Sequence, residues 1–408
     1  MTASETYVPV VELPQDVSEA IGKLSRDPSR PLRISYLAGP GDVGGTYTEW
    51  RAGHHDRRVP IATYSAMFYE LVEKLGASAQ VITAREVPKG ETGQFTFKTV
   101  ERPRLAKGRL AYFRGQANYA TALVEAVAVF DPDVVIVSSD APNSAWARLA
   151  KERKLVLTAH NTFWAMDENP ETIVWKLKRK VLAFRSRALD GAICVSHESA
   201  RQVSGMVGAG RKIRVPYPQV LKRYPLRELT KVQRLLYLGR VERAKGVFEL
   251  LDAFTKLRSS YPELHLTFIG DGGALDLLSE RTNAIENVSI LGRLGAEEVH
   301  AELGNTDLLL CPTNREFNEG LAVVGLEAAA HGVPSAMSTV VPAREFLKDG
   351  CVVFTPNSAD AIHEAVQKLI EDENAYQGLR RGTLTSRENV YDRTKSWGSQ
   401  LGLLLSEL

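Results

Sequence analysis

Residues 312–334 read PTNREFNEGLAVVGLEAAAHGVP and continue an apolar run, DLLLCPT at 307–313, that is typical of a buried parallel strand. The apolar pattern that follows predicts a helix over 321–331. Glu319 then precedes this helix, and Glu327 lies in its second turn. In an open α/β sheet such a junction lies at the carboxyl end of a strand, where ligands bind. Two carboxylates beside the positive end of a helix suit a ligand that has hydroxyl groups and a phosphate.

Outward from this stretch, short runs rich in Val and Ile alternate with amphipathic segments. The predicted strands are 33–38, 79–83, 133–139, 154–160, 191–197, 234–240, 264–272, 288–294, 307–313, 333–338 and 351–356. The predicted helices between and after them are 60–76, 116–130, 246–262, 321–331, 358–372 and 397–408. This alternation predicts an α/β protein with two doubly wound, Rossmann-like sheets.

The chain has 408 residues, which is too long for one hydrophobic core and favours two domains. Residues 211–229 are polar and punctuated by proline, so we interpret them as the linker. We therefore predict an N-terminal Rossmann-like domain at 1–215 and a C-terminal one at 216–385. A last helix within 386–408 is predicted to cross back to the N-terminal domain.

Composition narrows the class of protein. A hydrophobic content of 44% with 25% charged residues is ordinary for a soluble protein, and a net charge of +2 does not favour nucleic acid as a partner. Cys194, Cys311 and Cys351 each lie in an apolar run, which predicts buried free thiols. The first 31 residues lack the apolar segment of a signal peptide, and no run is long enough to span a membrane. We expect a cytoplasmic protein.

A glycine loop, LAGPGDVGG at 37–45, matches the letters of the dinucleotide fingerprint at Gly39, Gly41 and Gly44. That fingerprint needs a helix at the third glycine and an acid roughly 20 residues further on. The sequence predicts its next helix only near Pro60 and the end of its next strand near Thr83, which disfavours an NAD enzyme. Paired glycines still allow backbone amides to approach an anion or a sugar, although a loop that merely needs positive φ is the alternative.

Two cations follow the first strand of the second half, in YLGRVERAKGV at 237–247. Arg240 stands at the strand's end and Lys245 just before a helix. Arginine can bridge two phosphate oxygens, and lysine supplies a point charge, so the pair suits a diphosphate. The alternative is that both are solvated loop cations.

These motifs together resemble the retaining nucleotide-sugar glycosyltransferases of the GT-B fold, family 4. YLGR, AKG, FIGDGG, ILGRL and EGLAVVGLEAAAHGVP carry the resemblance over 234–372. GDVGG, LVLTAHNTFW and GAICVSHES extend it into the N-terminal half.

The resemblance implies a role for each donor-side residue. Glu327 would bind the ribose hydroxyls, Glu319 the hydroxyls of the donor sugar, and Arg240 with Lys245 the diphosphate. The backbone around Arg293 would meet the base. No metal and no other cofactor is implied, since the cations supply the charge.

The N-terminal half would complete the site. His160, at the end of its strand, would face the donor sugar, although a strand-end histidine can also be purely structural. Gly44 and Gly45 would lie near the phosphate and the acceptor. Glu316 is a nearby rival of Glu319, but only Glu319 keeps the family's spacing to Glu327.

The expected function is transfer of a sugar from a nucleoside-diphosphate sugar to a saccharide or lipid-linked acceptor, with retention at the anomeric carbon, in polysaccharide or glycoconjugate biosynthesis. Two alternatives remain open. One is a sugar-nucleotide epimerase or phosphorylase of the same fold, and the other is a non-catalytic partner of a glycosyltransferase.

Residues 174–187 read VWKLKRKVLAFRSR and contain six cations and no acid among apolar residues. On a helix, this segment could lie on an anionic membrane surface and bring the enzyme to a lipid-linked acceptor. The alternative is a helix that packs its apolar stripe on its own domain.

Overall fold

A computed structural model describes residues 7–56, 58–59, 61–88, 92–103, 108–166, 172–208 and 210–408. Within these residues the strands form two separate parallel sheets. The first sheet contains β1 Arg33–Leu37, β2 Ser78–Thr83, β3 Phe95–Thr99, β4 Val134–Ser138, β5 Lys154–Ala159, β6 Gly191–Cys194 and β7 Lys212–Arg214. The second contains β8 Arg234–Leu238, β9 His265–Ile269, β10 Val288–Gly292, β11 Leu308–Cys311, β12 Ser335–Ser338 and β13 Cys351–Phe354.

Both sheets have the doubly wound strand order. The first runs β3-β2-β1-β4-β5-β6-β7 and the second β10-β9-β8-β11-β12-β13. In each sheet the order reverses beside its first strand, which has one neighbour from each half of the winding. The predicted fold class is therefore confirmed, and the carboxyl ends of the central strands mark where each sheet can bind a ligand.

Helices connect successive strands and cover the sheets. The first half has α1 Gln15–Gly22, α2 Val43–Arg51, α3 Tyr64–Lys74, α4 Arg109–Phe130, α5 Trp146–Leu149, α6 Ile173–Ser186 and α7 His197–Ser204. The second has α8 Val247–Ser260, α9 Leu275–Thr282, α10 Ala296–Asn305, α11 Val324–Ala330, α12 Arg344–Leu347, α13 Ala359–Glu371, α14 Glu373–Asn389 and α15 Trp397–Ser406. Hydroxyl caps fix several starts: Thr63 accepts from Ala66 N, and Ser358 accepts from Ala361 N. Pro60, the predicted start of the helix now seen as α3, lies outside the described residues.

Helices bury both faces of each sheet, which explains why the sequences of its strands are continuous apolar runs. On the first sheet, α1, α3 and α15 cover one face and α4 and α5 the other. On the second sheet, α8, α9 and α13 cover one face and α10, α11 and α12 the other. Cys194, Cys311 and Cys351 are free thiols, as predicted, but only Cys194 and Cys311 are fully buried and Cys351 is partly exposed.

The last helix packs on the first sheet although it follows the second sheet in sequence. Trp397 of α15 is buried beside Tyr36 of β1. A side chain at Gly398 would place its Cβ 2.4 Å from Val11, so α15 and the N-terminal segment are in close contact. The predicted boundary at 385/386 falls inside α14.

Two predictions about the first half of the chain are wrong, one after strand β1 and one at strand β7. Residues after Gly44 were expected to lack a helix, yet α2 begins at Val43, because Asp42 caps it and Val43, Tyr47 and Trp50 form a buried stripe at helical spacing. The predicted linker 211–229 also starts with β7, which pairs with β6 at the sheet's edge. Since a helix does begin beside Gly44, the argument against the dinucleotide fingerprint depends only on the second strand, β2, which ends too far along the chain, at Thr83.

Candidate functional site

Lys245 and Glu319 meet at the carboxyl edge of the second sheet. Lys245 ends a short turn before α8, and Glu319 lies in the loop between β11 and α11. The Lys245 ammonium donates to Oε2 of Glu319, and Thr313 Oγ1 donates to the same oxygen at 3.2 Å. The two charged side chains are only 14% and 9% exposed. Two distant segments of sequence thus form one ion pair that is largely shielded from solvent.

The ring of Phe317 brings Arg240 to the same place. Lys245 Nζ lies 4.2 Å from the ring centroid, and the guanidinium carbon of Arg240 lies 5.1 Å from it. Such cation–π contacts hold a positive group over the ring face. Arg240 remains largely exposed and pairs with Glu242 at 2.9 Å. Both predicted cations therefore lie over Phe317 beside Glu319, but only Lys245 is shielded from solvent, so the interpretation of a solvated cation is disfavoured for Lys245 alone.

Asn314 fixes the cation loop against the acid loop, and sequence reasoning missed it. Its backbone N–H donates to Ala244 O at 3.0 Å, and Nδ2 donates to Arg243 O at 3.2 Å and to Glu249 Oε1 at 3.1 Å. Asn314 is buried. Because its partners lie about 70 residues away, no local pattern could have identified it.

Gly246 allows these loops to approach each other. Its φ is 74°, in the left-handed region that favours glycine, and a Cβ there would lie 1.9 Å from the carbonyl oxygen of Pro312. Glu316, the rival acid, accepts from Asn357 Nδ2 at 3.0 Å instead. Glu319 is thus the acid that contacts Lys245.

Glu327 is buried in the short helix α11. The helix begins at Val324 and not at Leu321, because Ala322 adopts a φ of 64° that interrupts the helical path. Burial raises the pKa of the Glu327 carboxyl to about 7. No hydrogen-bond or ion-pair partner for this carboxyl occurs among the described residues. A buried, unpartnered carboxyl is suited to accept hydroxyl groups from a ligand.

His160 directly follows β5 in the first sheet. Its ring stacks on Tyr64 with centroids 5.2 Å apart, and a ring nitrogen lies 3.4 Å from Thr158 Oγ1. Burial lowers the pKa of His160 to about 4, although the Asp140 carboxylate acts in the opposite direction. The imidazole is therefore neutral at pH 7.

The loop that carries Glu319 lies against the strand end that carries His160. A Cβ on Gly320 would lie 3.1 Å from His160 O and 2.8 Å from Asn161 Oδ1. Asn318 Nδ2 donates to Thr162 O at 3.0 Å across the same gap. The loop of Glu319 and the strand end of His160 therefore meet at the cleft between the two sheets.

Asp140 is a further acid at this cleft that sequence reasoning missed. It lies two residues beyond β4, where Ser138 Oγ donates to Oδ2 at 3.1 Å. A Cβ on Gly39 would lie 3.3 Å from Asp140 Oδ2 and 3.7 Å from His160 Cδ2. An acid directly after a buried strand was the signal that could have identified it.

Gly44 and Gly45 lie in the first turn of α2. Gly45 N already donates to Asp42 Oδ1 at 2.9 Å, and Asp42 pairs with Arg58. A Cβ on Gly44 would lie 2.7 Å from Glu86 O. Neither glycine has positive φ, so the described geometry requires them for close packing and not for a left-handed turn.

Arg293 follows β10 and is exposed. Gly292 before it has a φ of 66°, and Gly270 N donates to Gly292 O at 2.8 Å. This turn lies three strands away from β11, at the same edge of the sheet. The role of Arg293 beside a base stays a prediction.

The described part of the chain holds no cluster of three or more His, Cys, Asp or Glu side chains arranged for a metal ion. Among the described helices, none is long and apolar enough to cross a membrane.

Comparisons with known proteins bear on both halves of the chain. Residues 61–220 match the model of Glycosyltransferase Family 4, and residues 222–383 match the model of Glycosyl transferases group 1. A phosphatidyl-myo-inositol mannosyltransferase of Propionibacterium freudenreichii is 31% identical over 50% of this chain, and the match spans 53% of that relative's length. A putative teichuronic acid biosynthesis glycosyltransferase of Bacillus subtilis is 26% identical over 66% of this chain and 70% of its own.

Solved structures share the fold over nearly the whole chain. Sucrose-phosphate synthase from Thermosynechococcus elongatus superposes with a TM-score of 0.65 at 16% identity, and covers 92% of this chain and 98% of its own. Anabaena Alr3699/HepE in complex with UDP-glucose gives a TM-score of 0.60 at 16% identity, over 92% of this chain and all of its own. At this identity the likeness concerns the fold.

Proposed function

Because this chain belongs to the glycosyltransferases of the GT-B fold, we propose that it transfers a sugar from a nucleoside-diphosphate sugar to an acceptor. The acceptor is a saccharide or is lipid-linked, and the configuration at the anomeric carbon is retained. The relatives whose names refer to a phosphatidyl-myo-inositol and to teichuronic acid support a role in glycoconjugate biosynthesis. The proposed place of action is the cytoplasm, with a membrane contact through 174–187.

The observation that carries this proposal is the convergence of Lys245, Arg240 and Glu319 around Phe317, with His160 across the cleft. Lys245 and Arg240 would hold the diphosphate. As the bond to the sugar breaks, negative charge grows on the departing diphosphate, and cations that are already in place stabilise it. This arrangement requires no metal.

The other residues would bind the rest of the donor. Glu319 would accept hydrogen bonds from the sugar hydroxyls, and Glu327 from the ribose hydroxyls. The turn at Arg293 would meet the base. His160 would face the sugar from the N-terminal side. Because burial keeps its imidazole neutral, it would not add a positive charge beside the anomeric carbon.

Gly44 and Gly45 complete the proposal on the acceptor side. Because Gly45 N is capped by Asp42, its amide reaches a ligand only if the Asp42–Arg58 pair rearranges. Gly44 carries no such cap, and we propose that it contributes by letting α2 lie close to the cleft.

The experiment incubates the protein with UDP-, GDP- and ADP-sugars, with and without acceptor saccharides or lipid extracts. Product is detected by mass spectrometry, and its anomeric configuration is read by proton NMR. Acceptor-dependent product with the donor's configuration is the expected result. Rapid loss of donor without acceptor would instead indicate an epimerase or phosphorylase, and no nucleotide binding would indicate a non-catalytic partner.

A further inference from the structure

Helix α6 carries its apolar stripe on the solvent side. Ile173 is 85% exposed and Phe184 is 69% exposed, and Val174, Leu177 and Val181 between them are exposed too. Val174, Leu177, Val181 and Phe184 are spaced by three, four and three residues, which places them on one face. The inner face is formed by other residues, among them Trp175 against Trp164. The alternative of a helix that packs its apolar residues on its own domain therefore holds for Trp175 and Leu182 but not for Leu177, Val181 and Phe184.

The first turns of α4 present a second exposed apolar group. Leu110 is 88% exposed and Phe113 is 64% exposed, and the rings of Tyr112 and Phe113 are in contact at 5.7 Å. Helix α4 has no acid before Glu125. Three of the four exposed large apolar side chains of α4 lie in its first turns, where they form a contiguous apolar group.

These two groups lie on the same side of the first sheet. α4 and α6 both contact the short turn at 143–145. Arg185 of α6 donates a hydrogen bond to Oδ1 of Asn143 in this turn. Each helix returns from the carboxyl end of a strand to the start of the next, so both begin at the cleft edge of the sheet. The first turns of both helices thus lie toward the cleft, and the exposed apolar residues of α6 continue from its first turn to Phe184 near its end.

Within α6 all the charged side chains are positive. Helix α6 carries Lys176, Lys178, Arg179, Lys180 and Arg185 and no acid. Lys176, Lys178 and Lys180 form no ion pair with any described residue. Cations interleaved with aromatic and aliphatic side chains complement a bilayer surface that contains anionic lipids.

We propose that the first turns of α4 and the outer face of α6 form a single docking surface for an anionic membrane, with its apolar side chains in the headgroup layer and the cleft mouth held at the bilayer. The contact through α6 and the choice of a lipid-linked acceptor rest on the proposed function, whereas the part played by α4 goes beyond it. A second copy of the chain fits less well, since two such surfaces would bring like charges together.

The test is co-sedimentation of the full chain with vesicles of phosphatidylcholine alone or with added phosphatidylglycerol. We expect binding only with the anionic lipid, and weaker binding at high salt. Leu110→Gln and Leu177→Gln should each weaken it by about tenfold. Val129→Gln is the matched control, because Val129 is also 88% exposed but lies at the opposite end of α4.

Charge reversal provides a second arm. Lys176→Glu and Lys180→Glu should each weaken vesicle binding by about fivefold. Lys23→Glu, an exposed cation beside α1 on the other side of the sheet, should not. Nucleotide binding measured on the same variants should stay unchanged, which separates failure of docking from failure of the proposed function.

Three results would overturn the inference. They are equal binding to neutral and anionic vesicles, binding that the α4 and α6 variants leave intact, and a dimer in lipid-free sedimentation that Leu177→Gln dissociates.

Discussion

The Lys245 ammonium donates to the carboxylate of Glu319, although the two residues lie 74 positions apart in the chain. This contact joins the loop after β8 to the loop after β11, the two strands that flank the reversal in strand order. If the diphosphate binds here as proposed, it meets an ammonium group that is already paired with Glu319, so donor binding would have to displace or share that carboxylate. Under the proposed function the pair should therefore affect both stability and transfer, and these effects can be measured separately.

Lys245→Ala should lower the free energy of unfolding by about 3 kcal/mol, because it leaves a largely buried carboxylate without its cation. Adding Glu319→Gln should restore most of that loss. Urea unfolding at pH 7 measures both variants. Transfer should remain low in the double variant, since neither charge is present. If Lys245→Ala unfolds like the wild type, the ion pair is not stabilising.

Glu327→Gln should change how stability depends on pH. Burial raises the pKa of Glu327 from 4.5 to about 7, so the folded state holds a proton that the unfolded state releases. The wild type therefore loses stability as pH rises from 4.5 through 7, by about 3 kcal/mol in total. The variant lacks this loss. Denaturant unfolding from pH 4.5 to 8 should give converging curves at low pH, and parallel curves would contradict the prediction.

His160 should remain neutral over the working range of pH. Its pKa is lowered to about 4, mainly by burial, so protonation opposes folding and stability falls as pH drops from 6.5 through 4. Proton NMR of the imidazole signals, with the His160→Gln spectrum for assignment, should show no titration of His160 between pH 5 and 8. A midpoint near pH 6.5 would show that the imidazole is solvated.

Asn314→Asp should disturb the spacing between Lys245 and Glu319. Asn314 Nδ2 now donates to two acceptors, Arg243 O and Glu249 Oε1. A carboxylate at this position would be repelled by both oxygens. We expect transfer to fall about 10²-fold, as for a small misplacement of a preorganised group. Asn287→Asp is the control, because Asn287 donates to Pro262 O in a surface turn away from the cleft. Turnover that survives in Asn314→Asp would limit this residue to a structural role.

Most of the fold could be predicted from the sequence. Helices bury each strand on both faces, so the strands are visible in the sequence as short apolar runs. Helix α2 escaped prediction because its stripe of Val43, Tyr47 and Trp50 is hidden among Gly and Thr, which favour loops. At the site, Lys245 and Glu319 were predicted from charge beside strand ends. Asn318 was not, because its partner Thr162 lies 156 residues away and only the fold brings them together.

The most direct test of the donor site compares the transfer rates of Arg240→Ala, Lys245→Ala and Arg243→Ala with the wild type, using the donor and acceptor that the screen identifies. Arg243 lies in the same loop, but its guanidinium stacks on Phe248 and not on Phe317. We expect Arg240→Ala and Lys245→Ala each to lower transfer by about 10²–10³-fold, the scale for removing one preorganised charge, and Arg243→Ala to stay near the wild type. Turnover close to the wild type in Arg240→Ala or Lys245→Ala would contradict the assignment of these cations to the diphosphate.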